Sequence, residues 1–223
     1  MSSDLLSWLA LLVTVAVLAG YEVFLMIMQR RDPARLARSA HANLRQEWFA
    51  AVSAQNGSEI LAVQTLRNSL MSATMTASTA VLGLIGTATM AAPSLHVSFD
   101  GAVFRLKDLN VPLALELVLM TLLFASLVSS TMAVRFYNHA GFISAMPVGS
   151  EARRRWSAVG SAYVRRAGLL YSWGLRHLIL VAPILASILH PFAGPPAAVA
   201  IVVVLYGFDR ADTPGTPEKT VVV

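Results

Sequence analysis

The sequence predicts an all-α, polytopic membrane bundle. It has four transmembrane helices, a short Pro-interrupted fifth span or re-entrant helix, and a cytoplasmic interfacial amphipathic helix. Three observations predict it. Of 223 residues, 56% are hydrophobic and 13% charged, with a mean hydropathy of +0.63, whereas a soluble domain is about 45–50% apolar and ~25% charged. The apolar excess is gathered into runs at 5–28, 69–92, 111–134 and 169–189, each long enough to cross about 30 Å of hydrocarbon. Arginine is concentrated in two of the connections between those runs.

The first run opens with MSSD, which contains an acid and no Lys or Arg, and it continues past Ala19–Gly20 into VFLMIM. Those features fit a retained signal-anchor helix rather than a cleaved leader. The connection to the second run carries Arg30, Arg31, Arg35, Arg38, Arg45 and Arg67. Within its 39–55 stretch, Leu44, Trp48, Phe49 and Val52 share one helical face, so an amphipathic helix is expected in the headgroup layer with Trp48 at the interface. QNGS breaks it, and a new helix starts near Ser58 with Glu59 in its first turn.

Between the second and third runs, LHVSFDGAVFRL alternates around Asp100-Gly101, a hairpin signal. The third connection holds Arg135, Arg153, Arg154, Arg155, Arg165 and Arg166. It echoes the first: Arg precedes Trp48 and Trp156, and Arg67 and Arg176 follow at similar spacings, which suggests an internal duplication of helical hairpins. A fifth apolar stretch, 195–208, is short and begins with Pro195 and Pro196. The chain therefore reads as one membrane domain, 1–208, with a flexible Pro/Thr-rich tail at 209–223.

Orientation follows the positive-inside rule. Both Arg-rich connections are expected in the cytoplasm and the N-terminus outside, in a bacterial inner (plasma) membrane. The same arginines, with Arg45, Trp48 and Trp156, are expected to contact anionic headgroups. No nucleic-acid-binding module accompanies the charge.

Polar groups in the spans carry the functional question. Gln64, Asn68, Ser72, Thr76 and Thr79 fall on one face of the second span. Beside them runs a small-residue face through Ala73, Ala80 and Gly83, a candidate contact for a homo-oligomer. Glu22, Arg176 and His177 lie inside the first and fourth spans, and an ionisable group there is a candidate site whose partner should be named. Glu22 is matched in depth with Arg176 or Arg67. The set Gln64, Arg67, Asn68, Ser72, Thr76, Glu22, Arg176 and His177 is thus either a polar path or a polar lock.

Chemistry has little support. Cysteine is absent and the five histidines show no metal-ligand spacing, and nucleophile elbows and phosphate loops are also absent. No enzyme activity, cofactor or metal is expected; a haem on His177 or His139 is the weaker alternative.

The blocks GYEVFLMIMQRRDP, RQEWFAAV, GSEILAVQTLRNSLMSATMTAST, VRFYNHAGFI and VVLYGFDRA resemble a bacterial and plant membrane family catalogued as domain of unknown function 599. The likeness runs from about residue 12 to 209. It implies a multi-span membrane protein and transfers no reaction, substrate or site residue. The function expected is channel- or transporter-like, with the arginines favouring anions; the alternative is a non-transporting scaffold or lipid-interacting protein.

Overall fold

A computed structural model describes residues 3–31, 36–98 and 109–210. Their helices are α1 (Ser3–Arg31), α2 (Ala37–Ala54), α3 (Glu59–Ser98), α4 (Val111–Ala145), α5 (Glu151–Ile179), α6 (Val181–Leu189) and α7 (Gly194–Asp209). A 3-10 turn, Pro191–Ala193, joins the last two. Five helical rods among the described residues are long and apolar enough to cross a membrane: Asp4–Arg31, Glu59–His96, Val111–Ala145, Glu151–Leu189 and Pro191–Asp209. The all-α membrane bundle is the observed architecture.

Several elements differ from their sequence reading, each for a local reason. The expected loop between the third and fourth spans is instead mostly the ends of two helices. α4 runs to Ala145 and α5 starts at Glu151. Ser150 caps α5 by accepting from the Arg153 amide at 3.2 Å, and Gly149 has the positive φ of 85° that such a turn needs. α5 and α6 form one bent rod broken at Leu180, because Pro183 has no amide proton for the Ile179 carbonyl.

The C-terminal element, Pro191–Asp209, is long and apolar enough to cross a membrane. Pro195 and Pro196 sit in the first turn of α7, where a missing amide proton costs nothing. Gly194, at the start of α7, packs among Ser187 of α6 and Thr14 of α1, while Asp209, at its end, meets α1 and α5. Asp209, expected to open the flexible tail, is the last residue of α7. Tail residues 211–223 and most of the hairpin expected over 95–106 lie outside the described residues; the first four residues of that stretch are helical instead, because α3 continues through Pro93 to Ser98.

Packing follows side-chain size. The small-residue face of α3 is not free for a second copy: Ala73, Ala80 and Ala91 are fully buried and Gly83 lies beneath Leu123 of α4, so α3 and α4 form a close hairpin. α2 does not simply rest in the headgroup layer. It lies across α5, where Gly160 and Gly168 leave room for Phe49 and for the stem of Arg45; a Cβ at Gly160 would fall 2.6 Å from the Phe49 ring. Leu44, expected on the same apolar face as Phe49, points outward and is 62% exposed.

α1, α4, α5–α6 and α7 enclose the other core, built on Leu18, Leu25, Leu119, Leu123, Leu180 and Ile184. The arginine-bearing ends of α1, α4 and α5 gather with α2 at one end of the bundle, called below the Arg-rich end.

Candidate functional site

Three charged side chains meet between α1, α5 and α7 near the Arg-rich end. Their ion pairs hold them together: Glu22 comes from the later half of α1, Arg176 from the last turn of α5 and Asp209 from the last residue of α7.

Arg176 is the centre, only 5% exposed. Its Nε donates to Glu22 Oε1. Its Nη1 donates to both oxygens of Asp209, at 3.1 and 2.8 Å. Tyr21 donates its hydroxyl to Asp209 Oδ2 at 2.6 Å, and the guanidinium carbon of Arg176 stands 5.1 Å from the Tyr21 ring centre. A guanidinium suits this place because its planar fork serves two carboxylates at once.

A second layer closes over this centre. Arg38 of α2 lies 4.3 Å over the Trp173 ring and donates to Gln29 Oε1 at 3.4 Å. Burial first, and the neighbouring Arg176 cation second, pull the Arg38 guanidinium below its ordinary value. Trp173 stacks in turn on His177, ring centres 5.6 Å apart. A single antiparallel bridge, Leu36 to Arg210, ties the start of α2 to the end of α7. Two arginines therefore face two carboxylates, and the cluster is neutral by formal charge.

On the inner side of the cluster, Glu22 and His177 line a cavity of about 190 Å³ with Val15, Leu18, Leu122 and Ile184. Glu22 Oε2 is buried without a hydrogen-bond partner, as is Nη2 of Arg176 in the same ion pair. A second cavity of about 460 Å³ opens at the opposite end of the same α1/α4/α6 seam, lined in part by Asp4, Trp8, Asn110, Glu116 and Ser187. Glu116 Oε2 is buried there, also without a partner. In helical register, Leu11 of α1 stands between the two cavities and is buried.

The remaining candidates from the sequence lie elsewhere. Gln64, Arg67, Asn68 and Ser72 are exposed on the outer face of α3. Thr76 is buried, and its hydroxyl returns to the Ser72 carbonyl at 3.0 Å. The polar path expected along the second span does not join Glu22 or Arg176. Arg67 and Arg176, placed alike by the duplication, have opposite surroundings: one outward, the other in the core. Trp156 is 43% exposed, whereas Trp48 and Arg45 are half-buried against α5. His139 is exposed beside Tyr163, away from His177. The described residues contain no group of three or more His, Asp or Glu placed to hold a metal ion.

Sequence reasoning did not single out Tyr21, Trp173 or Asp209 as part of the site. Asp209 had a usable signal, a carboxylate one helix length beyond a Pro-Pro start and level with Glu22. Arg153 was also missed as a structural residue. It is 2% exposed and its Nη1 donates to the carbonyls of Ile143 (3.1 Å), Ser144 and Met146 (2.8 Å), capping the free C-terminal end of α4.

Comparison with known proteins adds a family and no activity. No curated protein and no solved structure matches the chain. The family described as "Protein of unknown function, DUF599" matches residues 9–214. Those residues include the whole Glu22–Arg176–Asp209 cluster and both cavities except for Asp4, Ser7 and Trp8. The chain, with its five helices long and apolar enough to cross a membrane, belongs to the DUF599 family.

Proposed function

We propose that the protein is a membrane carrier for a small cation, working through the α1/α4/α6 seam. The observation that carries this reading is the pair of cavities on one seam, each provided with a carboxylate, Glu116 in one and Glu22 in the other. Leu11 of α1 stands between them, and the Arg176 cluster closes the Arg-rich end. Carboxylates rather than arginines face the seam, so the solute favoured is a cation and not the anion that the arginine content suggests. By the positive-inside rule the Arg-rich end is cytoplasmic, which puts the N-terminus outside and Asp209 at the inner face of a plasma membrane.

Uptake by liposomes containing the purified chain tests this reading, with Na⁺, K⁺, protons and small protonated amines as solutes. Uptake of at least one of them above empty liposomes is expected, and it should fall in Glu116→Gln. Absence of flux for every solute would sink the proposal. A second reading has its own observation: Arg30, Arg31, Arg135, Arg154, Arg155, Arg165 and Arg166 are exposed at one end. Salt-sensitive preference for anionic over neutral lipid, without flux, would favour a headgroup-binding role.

A further inference from the structure

We propose that the larger cavity, the one that holds Glu116, is a binding site for a primary organic ammonium, an –NH₃⁺ group on an apolar substituent. This rests on the carrier reading above and names the chemical class of its solute.

Charge is the first ground. Asp4 of α1 and Glu116 of α4 both line the cavity, and none of its described lining residues is Lys, Arg or His. Glu22 and Asp209 share Arg176 as their cation, whereas Asp4 and Glu116 have no ion-pair partner among the described residues. Glu116 Oε2 is also buried without a hydrogen-bond donor, so it is not the spare prong of an ion pair. The first turn of α4 faces the same cavity, and a helix start ordinarily favours anions. Here that preference is already met. Asn110 Oδ1 accepts from the Leu113 amide at 2.9 Å, and Pro112 has no amide proton.

Size and lining set the kind of cation. The volume of about 460 Å³ falls within the range of about 300–1,000 Å³ usual for sites that take organic molecules. A bare Ca²⁺ gathers about six to eight oxygens at ~2.3–2.6 Å, and the described residues hold no group of three or more His, Asp or Glu so placed. Leu115, Ile188 and Pro191 make part of the wall apolar, and Trp8 adds an indole. Alkyl carbon gains by leaving water for such a wall, and the indole is the side-chain ring that best attracts a cation.

Glu116 Oε2 selects further among organic cations. It is a buried acceptor that lacks a donor, and an –NH₃⁺ group is all donor. A trimethylammonium group carries the same charge and no N–H. The primary amine therefore binds more tightly than its trimethylated analogue. A site that reads charge alone would treat the two alike, and an aromatic cage would prefer the second.

Equilibrium dialysis of labelled n-butylammonium against the full chain in neutral-lipid nanodiscs, with empty nanodiscs subtracted, tests the assignment. Saturable binding is expected, about tenfold tighter than that of n-butyltrimethylammonium and not displaced by equimolar K⁺. Glu116→Gln should weaken n-butylammonium by about tenfold, and Trp8→Leu by about threefold. The comparison of the two ammoniums uses the parent chain alone, so it decides the matter even where a substitution impairs folding.

Absence of saturable n-butylammonium binding would overturn the proposal. So would equal or tighter binding of the trimethylated analogue, displacement by equimolar K⁺, or unchanged affinity in Glu116→Gln or Trp8→Leu. Saturable amine binding in a chain whose liposomes pass no solute leaves this site standing and removes the carrier; uptake of Na⁺, K⁺ or protons without amine binding does the reverse.

Discussion

Arg176→Met is the most informative single change. The substitution keeps most of the aliphatic stem and deletes a guanidinium that is 95% buried by the 5% exposure of Arg176. Glu22 and Asp209, 17% and 18% exposed, are then left facing one another without their shared cation. Removing one partner of a buried pair typically costs about 3–5 kcal/mol. Both carboxylates keep some exposure, so the lower figure of about 3 kcal/mol applies. For a chain of this length each kcal/mol moves the unfolding midpoint by about 2–4 °C, giving a fall of about 6–12 °C.

The control is the triple variant Glu22→Gln, Arg176→Met, Asp209→Asn. It removes all three charges together and should recover to within about 1 kcal/mol of the parent, because neutral groups of similar shape leave no buried charge uncompensated. Helical ellipticity and the survival of a monodisperse peak in detergent, both at one fixed heating rate, would follow the loss. Equal losses in the single and triple variants would refute the reasoning, since the charge of Arg176 would then contribute nothing that its shape does not.

Gly160→Val places methyl groups where the Phe49 ring lies and should cost about 1–3 kcal/mol, seen as faster proteolysis of the α2–α3 connection. Arg153→Ala strips three carbonyls at the end of α4 of their donor and should cost about 1–3 kcal/mol, again as a lower melting midpoint. Arg67→Ala should change stability by no more than about 0.5 kcal/mol and leave any solute flux intact, because Arg67 faces outward from α3; loss of flux would return α3 to the pathway.

The spans were legible because hydropathy over some 20 residues is a property of composition, insensitive to what packs against what. Glu22 and Arg176 were legible from depth alone: each is an ionisable group a few turns inside an apolar run. Asp209 was not, because the apolar run ends by Phe208 and a Pro/Thr-rich segment follows at once. Its helical state is supported by contacts with Tyr21 and Arg176 that no local window contains.

The polar stripe of α3 was legible as a period but not as a direction. Both a small face and a polar face were candidates for burial. The small one lies against α4 because Ala73, Ala80 and Gly83 let the helix axes approach, and the hydroxyls beside it satisfy themselves on carbonyls four residues back. Arg67 and Arg176 show the same limit, since equal spacing from a Trp says nothing about which face a neighbouring helix will cover.

The order in which the chain is made gives the Arg176 cluster a further consequence. Glu22 precedes Arg176 by 154 positions and Asp209 follows it by 33. At synthesis rates of ~5–20 residues per second, Asp209 is made about 2–7 s after Arg176. During that interval the nascent bundle holds Arg176 with Glu22 as its carboxylate and lacks its second. The arrival of α7 completes the set, so a chain halted before Asp209 carries a buried arginine with one carboxylate in place of two.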